Sequence, residues 1–224
     1  MLSRRLNLRS LYLGPLLRVL REESTELETL QFGENWEEDN FLGAFANNPT
    51  QTLVLLIHFD VDPERIWSLL VHQLQSLRED GFLTYFNGSS IVQGPITIVA
   101  TGNAPFHRIL ESGTFRDIFY DAPLSELSLL HSGSHFQNHN YTAENSYYTS
   151  ADFTTAVGVV GFNGFTEHQL SIVRNQVHMA HEHGLKLRYW NTPTWSRKLQ
   201  NYVLRILLRE GVDSVTADGF KERF

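Results

Sequence analysis

The residues best suited to chemistry are His58 and Asp60, which end the segment TLVLLIHFDVD at 52–62. Five apolar residues at 53–57 come before them, as expected of a strand buried on both faces. Because side chains alternate along a strand, His58 and Asp60 point to the same side. They could form a catalytic acid–base pair or bind a metal, or they could simply be a hydrogen-bonded polar cap.

Four more residues are candidates for contacting a substrate. Asp121 and Asp218 end the predicted strands RDIFYD and VDSVTAD, and each could instead be an acid that caps a loop. Arg188 and Trp190 share one face of KLRYWN, where Arg188 could bind phosphate as a planar fork and Trp190 could form a wall. Alternatively, Trp190 fills the core and Arg188 pairs with a neighbouring acid.

The elements that position these residues alternate between strand and helix. The strand at 53–57 is followed at once by a predicted helix at 63–79, which carries an apolar stripe. Further strands are predicted at 96–101, 116–121, 145–153, 186–191 and 212–218, with a hairpin at 82–92. This alternation predicts a parallel α/β protein, in which chemistry gathers at the carboxyl ends of the strands.

Local signals set several boundaries. Asn87-Gly88 between apolar residues predicts the turn of the hairpin. Thr166 and Gln169 have the spacing of a capping box, so they predict the start of a helix that Gly184 ends. A second helix is predicted at 195–210, before Gly211.

Composition narrows the class of protein. The 224 residues suit a single domain over 1–224, and 42% of them are hydrophobic, which is ordinary for a globular protein. The net charge of −7 argues against a nucleic-acid partner. No apolar run approaches the length of a membrane span, and the absence of cysteine excludes disulfides.

Metal binding is not expected at either of two histidine groups. His131, His135 and His139 lie in a polar loop, where histidines are usually solvated. His178, His181 and His183 precede a strand, which in a barrel places them at the stability face, away from the active site.

The amino-terminal region allows two interpretations. Residues 1–21 contain five arginines and no acid, a composition typical of a mitochondrial presequence. The other interpretation is an amphipathic helix of the fold, with a cytoplasmic protein. The acidic segment 22–50 is predicted to be a surface loop.

Several stretches together resemble a known family. GLKLRYWNTP at 184–193 and EGVDSVTAD at 210–218 resemble the last two barrel strands of glycerophosphodiester phosphodiesterase-like enzymes. QGPITIVATGNAPF at 93–106, RDIFYDAPL at 116–124 and NSYYTS at 145–150 are similar to the fungal family named altered inheritance of mitochondria protein 6. That family belongs to the phospholipase-C-like phosphodiesterase superfamily, so the resemblance implies a TIM-barrel-like parallel sheet with surrounding helices.

The resemblance also implies a reaction, the hydrolysis of a phosphoric diester in lipid metabolism with magnesium or calcium. The family's His-Asn-Asp and Glu-x-Asp motifs are not found here, and LNLRSLYLGPLL at 6–17 resembles the helix that follows them. We therefore expect an incomplete barrel, with no metal ligands identified. His58, Phe59 and Asp60 also stand where the family usually has an acid, an aromatic residue and a lysine.

These departures from the family pattern predict one function and leave one alternative. The chain is expected to be a phosphodiesterase-family protein with impaired or lost hydrolysis, in which His58 and Asp60 are the catalytic candidates. Its expected ligand is a phosphodiester or phospholipid-type small molecule. The alternative is a non-catalytic interaction protein built on the remnant of a barrel. Since an open barrel exposes strand edges, self-association is expected in both cases.

Overall fold

The structure is a computed structural model that describes residues 8–30, 45, 48, 51–131, 140–161, 163–194 and 196–216. The chain divides into two compact units, Met1–Phe119 and Tyr120–Phe224. The division falls inside a strand, and the single domain over 1–224 stays a prediction.

The first unit consists of a helical amino-terminal region followed by strand–helix units. A π-helical turn, Arg9–Leu13, leads into α1, Gly14–Leu30. The elements after α1 are β1 (Leu53–Phe59), α2 (Pro63–Gln73), α3 (Gln75–Glu79), β2 (Tyr85–Phe86), β3 (Ile91–Val92), β4 (Ile96–Gly102) and α4 (Phe106–Glu111).

The second unit continues the alternation of strands and helices. It starts within β5, and its elements are β5 (Ile118–Pro123), α5 (Leu124–His131), β6 (Ser146–Asp152), α6 (Phe153–Ala156), α7 (Glu167–Glu182), β7 (Lys186–Trp190), α8 (Arg197–Arg209) and β8 (Ser214–Val215).

The main sheet has six strands in the order β1-β4-β5-β6-β7-β8. The pairings of β1 with β4, β5 with β6, β6 with β7 and β7 with β8 are all parallel. Among the described residues the order does not close into a ring, so the sheet is open. This confirms the predicted α/β class with an incomplete, barrel-like parallel sheet. The hairpin β2–β3 forms a separate antiparallel pair, whose turn is held by backbone and side-chain bonds of Asn87.

The core of the second unit lies between its strands and helices. Leu187 and Tyr189 of β7 are fully buried against Val173 and Val177 of α7 and Val203 of α8. The residues of β7 that alternate with them, Lys186, Arg188 and Trp190, face the other side of the strand. One face of this part of the sheet is therefore apolar and covered by helices, which leaves the opposite face for polar side chains.

The capping signals proved reliable. Thr166 accepts a hydrogen bond from the Gln169 backbone, and the Gln169 side chain accepts one from the Thr166 backbone, which confirms the capping box. Gly184 follows α7 with a φ of 69°, and Gly211 follows α8 with a φ of 94°. Both values lie in the left-handed region that glycine adopts without steric cost.

Several boundaries differ from the prediction. The helix predicted at 63–79 is divided at Leu74, and Leu69 of its apolar stripe is half exposed. The predicted loop at 22–50 is helical up to Leu30, because its first part has no glycine or proline and is rich in glutamate, a good helix former. The last strand is shorter than predicted and ends at Val215.

Candidate functional site

The polar face of the second unit is built by strand alternation. Register pairs Ser150 with Arg188 and Arg188 with Ser214, so these residues lie side by side across three strands. On β5, Asp121 pairs with Tyr148, two residues before Ser150. Neighbours at this spacing are within reach of a long side chain such as arginine.

Arg188 and Asp121 form an ion pair at the centre of this face. Nη1 of Arg188 lies 3.2 Å from Oδ2 of Asp121, and the two side chains are only 11% and 2% exposed. Arg188 also donates to Ser150 Oγ at 3.3 Å and to Thr216 Oγ1 at 2.9 Å, and Ser150 donates to the other oxygen of Asp121. The pair is buried, and Ser150 and Thr216 supply further hydrogen bonds to it, as a buried ion pair requires.

This geometry bears on the alternatives for Arg188 and Trp190. Arg188 pairs with an acid, Asp121, while Trp190 is 43% exposed and does not fill the core. Asp121 lies inside β5 rather than at its end, because pairing with β6 continues to Pro123. Thr192 is buried and donates to the carbonyl of Thr216. The roles of these residues toward a substrate stay predictions.

The carboxyl end of β6 holds an acid that the sequence analysis missed. Asp152 accepts a hydrogen bond from the backbone of Thr155 at 2.8 Å, and so caps α6, and a second one from Asn191 Nδ2 at 2.7 Å. Burial by itself would raise the pKa of Asp152, but the bonds from Asn191 and Thr155 together hold this pKa below its ordinary value. The alternation in SYYTSAD could have revealed it, since it places Asp152 on the same face as Ser150.

The first unit places His58 and Asp60 at the carboxyl end of β1, and both are exposed. Neither side chain has a hydrogen-bond or ion-pair partner within the described part of the chain. The backbone here is tightly packed, since Asn103 binds the carbonyls of Phe59 and Asp60. Gly102 has a φ of 71°, and a Cβ added to it would lie 2.6 Å from both the His58 ring and the Phe59 carbonyl oxygen.

The remaining candidates separate into two groups. Asp218, His135, His139 and the side chain of His131 lie outside the described residues. In and after α7, His178 contacts Glu182, His181 contacts Asp213 and His183 contacts the carbonyl of Met179. Each of these three histidines therefore contacts a different group of the protein.

The family resemblance implies a divalent cation, and its fit can be tested against the side chains present. Among the described residues, no three histidine, aspartate or glutamate side chains are grouped so that they could hold a metal ion. Hard cations such as magnesium and calcium need several oxygen ligands. The described residues therefore do not fit this cation. Within the same residues, no helix combines the length and the apolar character needed to cross a membrane.

Fold and site together define a parallel α/β protein whose polar side chains lie at and near the carboxyl ends of its strands. A model of the AIM6-like phosphodiesterase domain matches residues 1–121, more than half of the chain. The chain therefore belongs to the AIM6-like phosphodiesterase domain family. No solved structure gives a significant match.

Curated relatives support the same assignment over nearly the whole chain. An altered inheritance of mitochondria protein 6 homolog from Arthroderma benhamiae is 32% identical over 97% of this chain and 65% of the relative. Proteins named altered inheritance of mitochondria protein 6 from Lachancea thermotolerans and Saccharomyces cerevisiae are each 28% identical, over 96% and 95% of this chain. Since the match covers 52% and 55% of those two proteins, the chain spans between half and two thirds of the length of these relatives.

Proposed function

We propose that this chain binds a phosphodiester of the lipid head-group type and hydrolyses it weakly or not at all. The observation that carries the proposal is the ion pair between Arg188 and Asp121. A guanidinium is the side chain best suited to bind a phosphate, but here a carboxylate already neutralises its charge. A ligand at this face meets a nearly neutral pair rather than a free cation.

The groups available for proton transfer support the same proposal. His58 and Asp60 could donate and accept protons at the end of β1, but both are exposed. General acid–base catalysis by a positioned side chain typically contributes about 10²–10⁴-fold. Asp60 also presents a negative charge where the family usually has a lysine, which opposes the approach of a phosphodiester.

Turnover of a chromogenic phosphodiester, bis(p-nitrophenyl) phosphate, tests the catalytic part. The assay is run with magnesium, with calcium and with chelator, on the wild type and on a His58→Ala, Asp60→Ala variant. We expect turnover close to background in every case. Multiple turnover that depends on the metal and is lost in this variant, but kept in the exposed control His72→Ala, Glu79→Ala, would overturn the proposal of weak hydrolysis.

Binding of glycerophosphocholine, followed by calorimetry, tests the ligand part. Arg188 uses Nη1 and Nη2 in its bonds to Asp121, Ser150 and Thr216, while its Nε–H is not used in them. Arg188→Lys keeps the charge but loses the planar fork, so we expect the binding free energy to weaken by about 1.5–3 kcal/mol. The exposed control Arg65→Lys should leave binding unchanged. Equal binding by all three proteins would contradict a role for Arg188.

The alternative function is a non-catalytic interaction protein. It is favoured by the edge of β1, which has β4 as its only partner strand among the described residues. An unpaired edge presents backbone groups that can pair with another chain. Association in size-exclusion chromatography, without measurable binding of glycerophosphocholine, would favour this function.

A further inference from the structure

The outer face of α8 carries a row of positive charge. The helix, RKLQNYVLRILLR, contains four cations and no acid, in a chain whose net charge is −7. Lys198, Arg205 and Arg209 lie seven and four residues apart, which places them on one side of the helix. All four cations, including Arg197, are exposed.

Within the described part of the chain, none of the four cations has an ion-pair partner. The pKa of Glu210 is lowered most by its hydrogen bond with Arg174, and the charge of Arg209 also contributes. Glu210, the acid that follows the helix, is only 16% exposed and is bound by Arg174 of α7 at 2.6 Å. The acid nearest to the row is thus already paired. The outer face of α8 therefore presents a concentration of positive charge to the solvent.

An exposed apolar side chain lies beside the cations. Leu208 is 60% exposed, although Leu207 next to it is fully buried. Leu208 follows Arg197 by eleven residues, or about three helical turns, so the two lie along the same line of the helix. Cations next to an exposed leucine are typical of helices that lie on a membrane surface.

We propose that the outer face of α8 binds an anionic lipid surface. The main apolar stripe of the helix, Leu199, Val203 and Leu207, is committed to the protein core, so the helix cannot insert deeply. Binding is therefore peripheral and mainly electrostatic, with Leu208 reaching into the head-group region. The inference uses α8 alone and does not depend on the proposed hydrolysis or on Arg188.

Charge complementarity alone would also allow an acidic protein segment as the partner. Leu208 favours the lipid surface, because a single exposed leucine gives little to a peptide partner but can enter an interface of lipid head groups. Binding to an acidic segment of a partner protein is therefore the competing outcome of the test.

Vesicle flotation tests the proposal on the full chain. Vesicles contain phosphatidylcholine alone or phosphatidylcholine and phosphatidylserine in equal amounts. We expect the wild type to float only with the anionic vesicles, and less at higher salt because exposed charges are screened. Each cation near an anionic surface contributes about fivefold, so Lys198→Gln, Arg205→Gln should reduce partitioning about 25-fold.

Matched variants separate a specific surface from general charge. The control Arg18→Gln, Arg65→Gln removes two exposed cations from α1 and α2. It should reduce partitioning by less than about sixfold, against about 25-fold for Lys198→Gln, Arg205→Gln. Leu208→Ser should reduce partitioning without changing charge. Thermal unfolding checks that each variant is folded.

Three results would overturn the proposal. These are no flotation of the wild type with anionic vesicles, equal flotation with neutral and anionic vesicles, or an equal loss in the Arg18→Gln, Arg65→Gln control. Binding to polyglutamate in the absence of flotation would assign the face of α8 to an acidic protein partner.

Discussion

The polar side chains near the strand ends are used in opposite ways in the two units. In the first unit, His58 and Asp60 are exposed, and their side chains form no hydrogen bond or ion pair with the other described residues. In the second unit, Asp121 and Arg188 are buried and bonded to each other and to Ser150. The comparison shows that polar candidate residues of similar type can be exposed to solvent in one unit and buried in a hydrogen-bonded ion pair in the other.

The difference has an energetic consequence. A buried ion pair repays the loss of hydration only while both partners are present, whereas an exposed side chain has lost little hydration and can be removed at little cost. Substitutions should therefore have large effects on the folding of the second unit and small effects at the end of β1. Four predictions order these effects from the largest to the smallest.

The largest effect is expected from Asp121→Ala. It leaves the guanidinium of Arg188 buried without its carboxylate, and such a loss typically destabilises a protein by about 3–5 kcal/mol. Urea unfolding measures the change in the free energy of unfolding. The double variant Asp121→Ala, Arg188→Met should recover a large part of this loss, because it removes the unpaired charge as well. A loss below about 1 kcal/mol in the single variant would show that the pair is not effectively buried.

A second ion pair tests an intermediate degree of burial. Arg78 donates two hydrogen bonds to Asp117, at 2.5 and 3.2 Å, and the side chains are 27% and 10% exposed. Asp117→Ala should cost about 1.5–3 kcal/mol, since Arg78 can recover part of its hydration.

The matched control is Asp80→Ala, which removes a pair of the same geometry with the more exposed Arg21. Its loss in urea unfolding should be clearly smaller. If the two losses were equal, burial would not be what distinguishes these pairs.

Features that depend on residues close together in the sequence were predicted better than features that depend on tertiary packing. The capping box of Thr166 and Gln169 and the turn at Asn87 depend on residues three positions apart or fewer, and both were predicted. The parallel sheet followed from alternating strands and helices. The division of the helix at Leu74 and the exposure of Leu69 depend on how these segments pack, which local propensity does not determine.

The candidate site was predicted less well for the same reason. Asp121 and Arg188 were both identified, but their pairing joins residues 67 positions apart and depends on strand register. Asp152 was missed although the cap it forms with Thr155 is local, and its bond to Asn191 joins residues 39 positions apart. The sequence identified most of the polar residues, but it did not show which of them bind each other.

A third prediction uses the pH dependence of Asp152. Removing this helix cap by Asp152→Ala should cost about 1 kcal/mol at neutral pH. Since the folded state holds the pKa of Asp152 below its ordinary value of 3.8, the stability due to the carboxylate is present above that value. It is lost as the pH falls from 3.8 through the lower folded pKa, because the proton then binds the folded state as well.

Urea unfolding of the wild type and of Asp152→Ala over this acid range gives the measurement. The difference between the two proteins should narrow as the pH falls. In an Asn191→Ala background, the cost of Asp152→Ala at neutral pH should be smaller, since one of the bonds that stabilise the carboxylate is already missing. A difference that widens with acid would contradict the assigned direction.

The smallest effect is expected at the end of β1. The variant His58→Ala, Asp60→Ala should change the free energy of unfolding by no more than about 0.5 kcal/mol, as is usual for exposed residues without partners. The backbone beneath these side chains is constrained, so Gly102→Ala is a useful contrast. It places a Cβ 2.6 Å from the Phe59 carbonyl oxygen at a φ of 71°, and it should destabilise the fold by more than the double variant. If the double variant instead lost more than about 1.5 kcal/mol, His58 and Asp60 would have a structural role as a polar cap, and the contrast between the two units would fail. The expected result, a rigid backbone that carries two dispensable side chains, would leave His58 and Asp60 available for a ligand.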